Sequence, residues 1–265
     1  LIGLLISIIF SASMGAVASA YNSLGVAYIN LKEYQSAQEY YKKAIRLRRE
    51  INNLSGLSGS YNNQANLYRY TGNLDSAEYF LLFSIELKKK LKRERALIPS
   101  YKNLAEVYIE GGKNVKARFY IDSAIYLSQK VKNSRLLVST HLTEALYYLE
   151  LSNVKETTKT LNLVSNALGK APSKDLLLEF YDLSRKLYFL EKNTALAEEM
   201  VTKYDSLDDH LFEEQRMKVV QLKPQRENAE LVWLAQQMEV DRAIKKRETE
   251  HLLGIITLSL LVAIL

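Results

Sequence analysis

The apolar positions of this chain recur at helical spacing, not in alternation. Tyr21, Leu24, Gly25 and Tyr28 fall on one face of a helix. Lys32-Glu33 marks a turn, and Ala37, Tyr41 and Ala44 fall on one face of a second helix. The pattern then returns with a 40-residue period: tyrosine stands at Tyr21, Tyr61, Tyr101 and Tyr181, with His141 in the fourth place. A second tyrosine follows each time at Tyr28, Tyr68, Tyr108, Tyr148 and Tyr188. Small residues form columns of their own at Gly25, Ala65, Ala105 and Ala145, and at Ala37, Ala77, Ala117 and Ala197, with Thr157 the exception. Ala44 and Ala124 form a further small column.

Each unit therefore reads as a helical hairpin. The turns are plainest at Thr71-Gly72-Asn73 and Gly111-Gly112-Lys113. Asn73, Asn153 and Asn193 share one position before the second helix, where a side-chain oxygen can cap free backbone N–H groups. Small residues let helices approach closely, and the tyrosines fill the space between hairpins. One hairpin cannot bury both faces, whereas a stack buries a continuous core. The expected fold is all-α, an α-solenoid of antiparallel helix pairs.

The run Tyr21-x2-Leu24-Gly25-x2-Tyr28 followed by Ala37-x3-Tyr41-x2-Ala44 resembles the tetratricopeptide repeat. That family has tryptophan where Tyr21 stands and phenylalanine where Tyr41 stands, with a usual period of about 34 residues. The longer period here implies helices extended by nearly a turn each, and the family's helix-ending proline is absent. The resemblance covers residues 15–207; unit four departs at His141, Glu144 and Thr157, and unit five at Ser184 and Arg185. It implies a concave groove lined by the first helices. Carried over position by position, the groove columns hold Asn22, Val26, Asn62, Asn66, Arg69, Tyr70, Lys102 and Glu106, then Leu142, Leu146 and Leu149 in unit four and Asp182, Lys186 and Phe189 in unit five. Asparagines can donate to and accept from a peptide backbone, and Arg69 or Lys102 could meet a carboxylate. A solvated helix surface would read the same way.

Composition narrows the chemistry. The chain has 265 residues, a net charge of +6 and no cysteine, which excludes disulfides, thiolate metal sites and a cysteine nucleophile. His141, His210 and His251 are scattered, so no metal cluster or cofactor is expected, and no catalytic residues stand out. The basic clusters Lys42–Arg49 and Lys88–Arg95 lie at helix ends, where the backbone dipole favours cations. No nucleic-acid-binding motif accompanies them, and direct nucleic-acid binding is not expected.

Both ends are apolar. Residues 1–18 resemble a signal peptide that has lost its basic start; an N-terminal anchor or a helix of an earlier repeat would also fit. Residues 252–265 read as the start of a transmembrane helix, which needs about 20 apolar residues. The expected division is the apolar segment 1–18, repeats over 19–207 (21–60, 61–100, 101–140, 141–180, 181–207), a charged helical linker over 208–251 broken near Pro224, and the membrane run 252–265. Leu231, Leu234, Ala235 and Met238 suggest a short apolar seam in the linker, through which the chain could form a homodimer.

This order resembles the membrane-anchored repeat region of bacterial sensor histidine kinases and LuxR-type regulators, without the effector domain. It implies a protein- or peptide-sensing module with extracytoplasmic repeats. The alternative is a membrane-tethered scaffold. Arg242, Lys245, Lys246 and Arg247 beside the membrane run argue for cytoplasmic repeats, since basic flanks favour the cytoplasm.

Overall fold

The computed structural model describes residues 2–168 and 173–264, with side chains described for 11–168 and 173–246. Among these residues there are ten helices and no strand: α1 (Ile2–Asn30), α2 (Tyr34–Glu50), α3 (Leu54–Tyr70), α4 (Leu74–Lys90), α5 (Glu94–Glu110), α6 (Asn114–Lys130), α7 (Ser134–Glu150), α8 (Val154–Leu168), α9 (Lys174–Leu190) and α10 (Thr194–Ile264). They pair as five hairpins, α1 with α2 through α9 with α10, and the hairpins stack in chain order.

The turns set the period. Backbone φ is positive at Lys32, Asn52, Gly72, Lys92, Gly112, Lys132, Ser152 and Lys192, each a multiple of twenty residues from the others. The turn after α2 shows the mechanism. Asn52 N–H donates to the Arg49 carbonyl and Asn53 N–H to the Arg48 carbonyl, closing a left-handed helix cap. The Asn53 side chain then accepts the Gly56 N–H at 2.8 Å and starts the next helix. The expected caps form in the same way, with Asn73 accepting from Ser76 N–H, Asn153 from Glu156 and Asn193 from Leu196.

The repeat columns are the core. Leu24, Ala37, Ala44, Ala65, Ala77, Ala105, Ala117, Ala124 and Ala197 are fully buried, and Tyr28, Tyr41, Tyr61 and Tyr108 nearly so. Tyr21, Tyr68, Tyr101, Tyr148 and Tyr188 are half-buried. The tyrosines stack on rings of the second helices, Tyr28 on Tyr40 and Tyr68 on Phe80, with centroids 5.5 Å apart in both. The tyrosine marks lie inside the first helices. Units cut at 61, 101 and 141 would divide α3, α5 and α7; the structural joints fall near residues 53, 93 and 133.

The C-terminal part differs from the sequence reading. No break occurs at Pro224: α10 is one continuous helix containing it. Both sides of the proline are held by the same surface. Val219 and Leu222 pack with Leu24 and Tyr28, and Ala229 and Trp233 pack with Met14, Val17 and Tyr21. That burial offsets the lost hydrogen bond. The second helix of the fifth hairpin and the expected linker are thus one element, which returns antiparallel to α1. The Tyr21 hydroxyl donates to Glu230, and Lys32 pairs with Asp208 at 3.9 Å.

Among the described residues no helix is long and apolar enough to cross a membrane. The apolar runs 1–10 and 252–265 lie outside the residues whose side chains are described.

A Cβ at Gly25 would sit 2.5 Å from the Tyr41 ring, which is fully buried. Gly25→Ala is therefore expected to destabilise by about 1–3 kcal/mol through overpacking, reversing the usual gain of alanine in a helix. Lys132 is exposed with φ 50°, a conformation costly for a residue with a Cβ. Lys132→Gly should stabilise by about 0.5–1 kcal/mol, since its N–H bond to Gln129 needs no side chain. Urea denaturation of each variant gives both signs.

Candidate binding cavity

The first helices α3, α5, α7 and α9 line the concave side, where a cavity of about 980 Å3 opens. Asn62 and Asn66 of α3, Pro99, Lys102 and Asn103 of α5, Asn133 capping α7, Thr140 of α7 and Leu176 of α9 contribute to its wall. Pro99 has no N–H to donate, which frees the Arg95 carbonyl of its helical partner beside the cavity.

The expected groove residues divide into two groups. Asn62 and Asn66 line the cavity, and the Asn66 side-chain oxygen is buried without a partner. Arg69 and Glu106 are not among its lining residues, and Lys102, which is, pairs with Glu106. Arg69 pairs with Glu106 at 3.0 Å and with Glu110 at 2.6 Å. Lys102 pairs with Glu106 and with Glu179, each at 3.4 Å, and the Thr143 hydroxyl donates to Glu106 at 3.1 Å. The network ties units two to five together. Burial pulls the Glu106 carboxyl up, but Lys102 and Arg69 outweigh it and hold the carboxyl below its ordinary range. Burial raises the Glu179 carboxyl, with Lys102 opposing and Glu106 adding. Arg69 and Lys102 therefore already have carboxylate partners within the chain. Tyr70 is half exposed and stacks with Tyr34, its ring 4.8 Å from the Arg69 guanidinium. Leu142 and Leu149 are core and not groove, since α7 packs them against unit five.

Two cations read as helix-end charges are in fact buried. Lys88 donates to the Ser100 hydroxyl at 2.5 Å, and Ser100 donates to the Asn62 oxygen at 2.8 Å. One repeat earlier, Arg48 donates to Ser60 at 2.5 Å, and Ser60 to Asn22 at 3.2 Å. Both relays engage an asparagine oxygen from behind and leave its NH2 as the group to present. Asn22 takes part here and does not line the cavity. The signal was in the sequence: Arg48 and Lys88, Ser60 and Ser100, Asn22 and Asn62 are each one period apart.

At the rim, Arg135 pairs with Asp175 at 3.0 Å and Glu94 with Lys130 at 2.8 Å. Lys92 and Arg95 are exposed there with no salt-bridge partner among the described residues. No group of three His, Asp or Glu side chains among the described residues could hold a metal ion.

The tetratricopeptide-repeat family model matches residues 16–90. The solenoid is tetratricopeptide-like. No curated protein matches the chain. Among solved structures, it is similar to BtubC (BKLC) from P. vanneervenii, with 17% identity, a TM-score of 0.53, and 78% of this chain and 92% of that one covered. It is also similar to a Podosopora anserina kinesin light chain with nearly identical TPR-like repeats, at 16% identity and a TM-score of 0.52, covering 74% and 97%. These likenesses show the fold. The tetratricopeptide-like fold supports a protein–protein interaction module, and nothing shows catalysis.

Burial of Lys88 lowers its pKa to about 8. Unfolding restores the ordinary lysine value, so between those limits the unfolded chain binds more protons than the folded one. The penalty is full below pH 8 and is relieved as pH rises toward the ordinary value, by up to about 3 kcal/mol. The unfolding free energy should therefore rise with pH across that window more steeply in the wild type than in Lys88→Met. Urea melts at pH 7.5 and pH 10 measure it.

Proposed function

We propose that this chain is the interaction and sensing module of a membrane-anchored signalling protein, and that its cavity takes an extended acidic segment of a protein partner. The observation that carries the reading is the pair Asn62 and Asn66. One presents an amide whose oxygen is held from behind, and the other offers an unpartnered oxygen. Together they match the donors and acceptors of an extended backbone. The unpaired Lys92 and Arg95 at the rim suit an acidic segment.

The membrane context rests on the apolar runs 1–10 and 252–265, and on the antiparallel course of α1 and α10, which makes the start of one and the end of the other point the same way. A partner that prefers one curvature of the stack would shift the α10–α1 contact, because α10 is fixed to both the fifth and the first hairpin. The surplus of basic residues before the apolar run favours the second reading, a tethered scaffold with cytoplasmic repeats.

Peptides selected from a displayed library on the full chain test the cavity. Asn62→Ala combined with Asn66→Ala should weaken their binding by about tenfold or more, a loss of at least one good hydrogen bond, with helix content unchanged. Equal binding by the double variant would remove the cavity reading. Alkaline phosphatase fused after Glu250 should be active if the repeats lie outside the cytoplasm; an inactive fusion supports the scaffold.

A further inference from the structure

Helix α10 has two seams. The inner one, Val219, Leu222, Arg226, Ala229 and Trp233, lies against α1. The outer one follows the same alternating three–four spacing: Met217, Val220, Pro224, Glu227, Leu231, Leu234 and Met238. Its five large apolar side chains are at least half exposed, from 50% at Leu234 and Met238 to 65% at Leu231. The inner seam sets the body of the solenoid on the opposite side, and no described residue of the chain covers the outer one.

We propose that the outer seam of α10 binds the same seam of a second copy of this chain, in parallel. Three arguments choose that occupant. The alternating three–four spacing is complementary to another helix crossing at a shallow angle, and an identical helix in register meets apolar with apolar at Met217, Val220, Leu231, Leu234 and Met238. Covering these side chains on two copies removes on the order of 1,000 Å2 from water, the lower bound for a specific interface. The one charge inside the seam, Glu227, is already paired with Arg226 of its own helix at 2.9 Å. In the parallel arrangement the flanking residues Arg216, Lys223, Glu230 and Gln237 meet Gln221, Asn228, Ala235 and Arg242 of the other copy with no like charges opposed among them, while Glu227 faces its own counterpart beside Arg226. The parallel sense rests on the membrane reading, since it sends residues 252–265 of both copies to the same side. Pro224 and Glu227 interrupt the apolar contacts, so the pair is weak and strengthens where chains are concentrated.

The absence of native cysteine makes the test direct. Full-length Leu231→Cys, mixed with phosphatidylcholine–phosphatidylglycerol vesicles and oxidised, should give a disulfide-linked dimer, and so should Leu234→Cys. Lys155→Cys, exposed on the far hairpins, serves as the collision control. Adding Val220→Asp and Met238→Asp to Leu231→Cys should cut the dimer by about tenfold or more. Dimer no greater than the Lys155→Cys control overturns the proposal. A dimer formed only when Val220→Cys and Leu231→Cys are mixed overturns the parallel sense. Flotation of the same samples separates the two readings: a chain that crosslinks at Leu231 without floating keeps the dimer seam and sinks the membrane anchor, and one that floats without crosslinking does the reverse.

Discussion

The structure depends on the repeated left-handed turn. A helix that stops after the same number of residues each time, and restarts three residues later, can only build hairpins of equal length. Equal hairpins stack in register, and only then does a column of alanine or tyrosine in the sequence become a column in space. The turn achieves this with little glycine. Gly72 and Gly112 take the positive φ at no steric cost, whereas lysine, asparagine and serine hold it at the other described turns. The cap bonds and the packing of the hairpins on either side impose that conformation, so the period is a property of the stack as much as of the turn residues.

Much of this was legible in the chain, and the limits have physical causes. The tyrosine and alanine columns stood out because aromatic and small side chains are interchangeable with few others at close-packed helix contacts. The unit boundaries did not, because the strongest marks sit where the core is, in mid-helix, and the turn position is filled by lysine, asparagine, glycine or serine in different units. Pro224 misled for a related reason. The rule that proline breaks a helix is local, and the contacts of Val219, Leu222, Ala229 and Trp233 with α1 are made about 200 residues away in sequence. Arg48 and Lys88 looked like helix-end cations until the following hairpin brought Ser60 and Ser100 over them.

The cavity follows from the same stacking. Curvature brings the first helices together closely enough for Lys102 of unit three to reach Glu179 of unit five. Charges that would be free on an isolated helix are then consumed between units. Buried ion pairs of this kind are weak evidence for stability, since desolvation offsets much of their attraction. They are stronger evidence for geometry, because the Glu106 carboxylate holds Arg69 of unit two and Lys102 of unit three at once. What remains inside the cavity is neutral and directional, asparagine amides and a proline-freed carbonyl, with cations confined to the rim.

The same division of labour runs along α10. Its inner seam packs on the first described hairpin and covers Leu24, Tyr28, Met14 and Val17. A helix that covers a solenoid hairpin usually turns a polar face outward. Here the covering helix is apolar on both faces. Burying the first seam explains the helix's position but leaves the second without a purpose inside the chain. An exposed apolar stripe carries a solubility cost that a cap alone would not require. Had capping been its only role, polar residues at Met217, Val220, Leu231, Leu234 and Met238 would have served it as well.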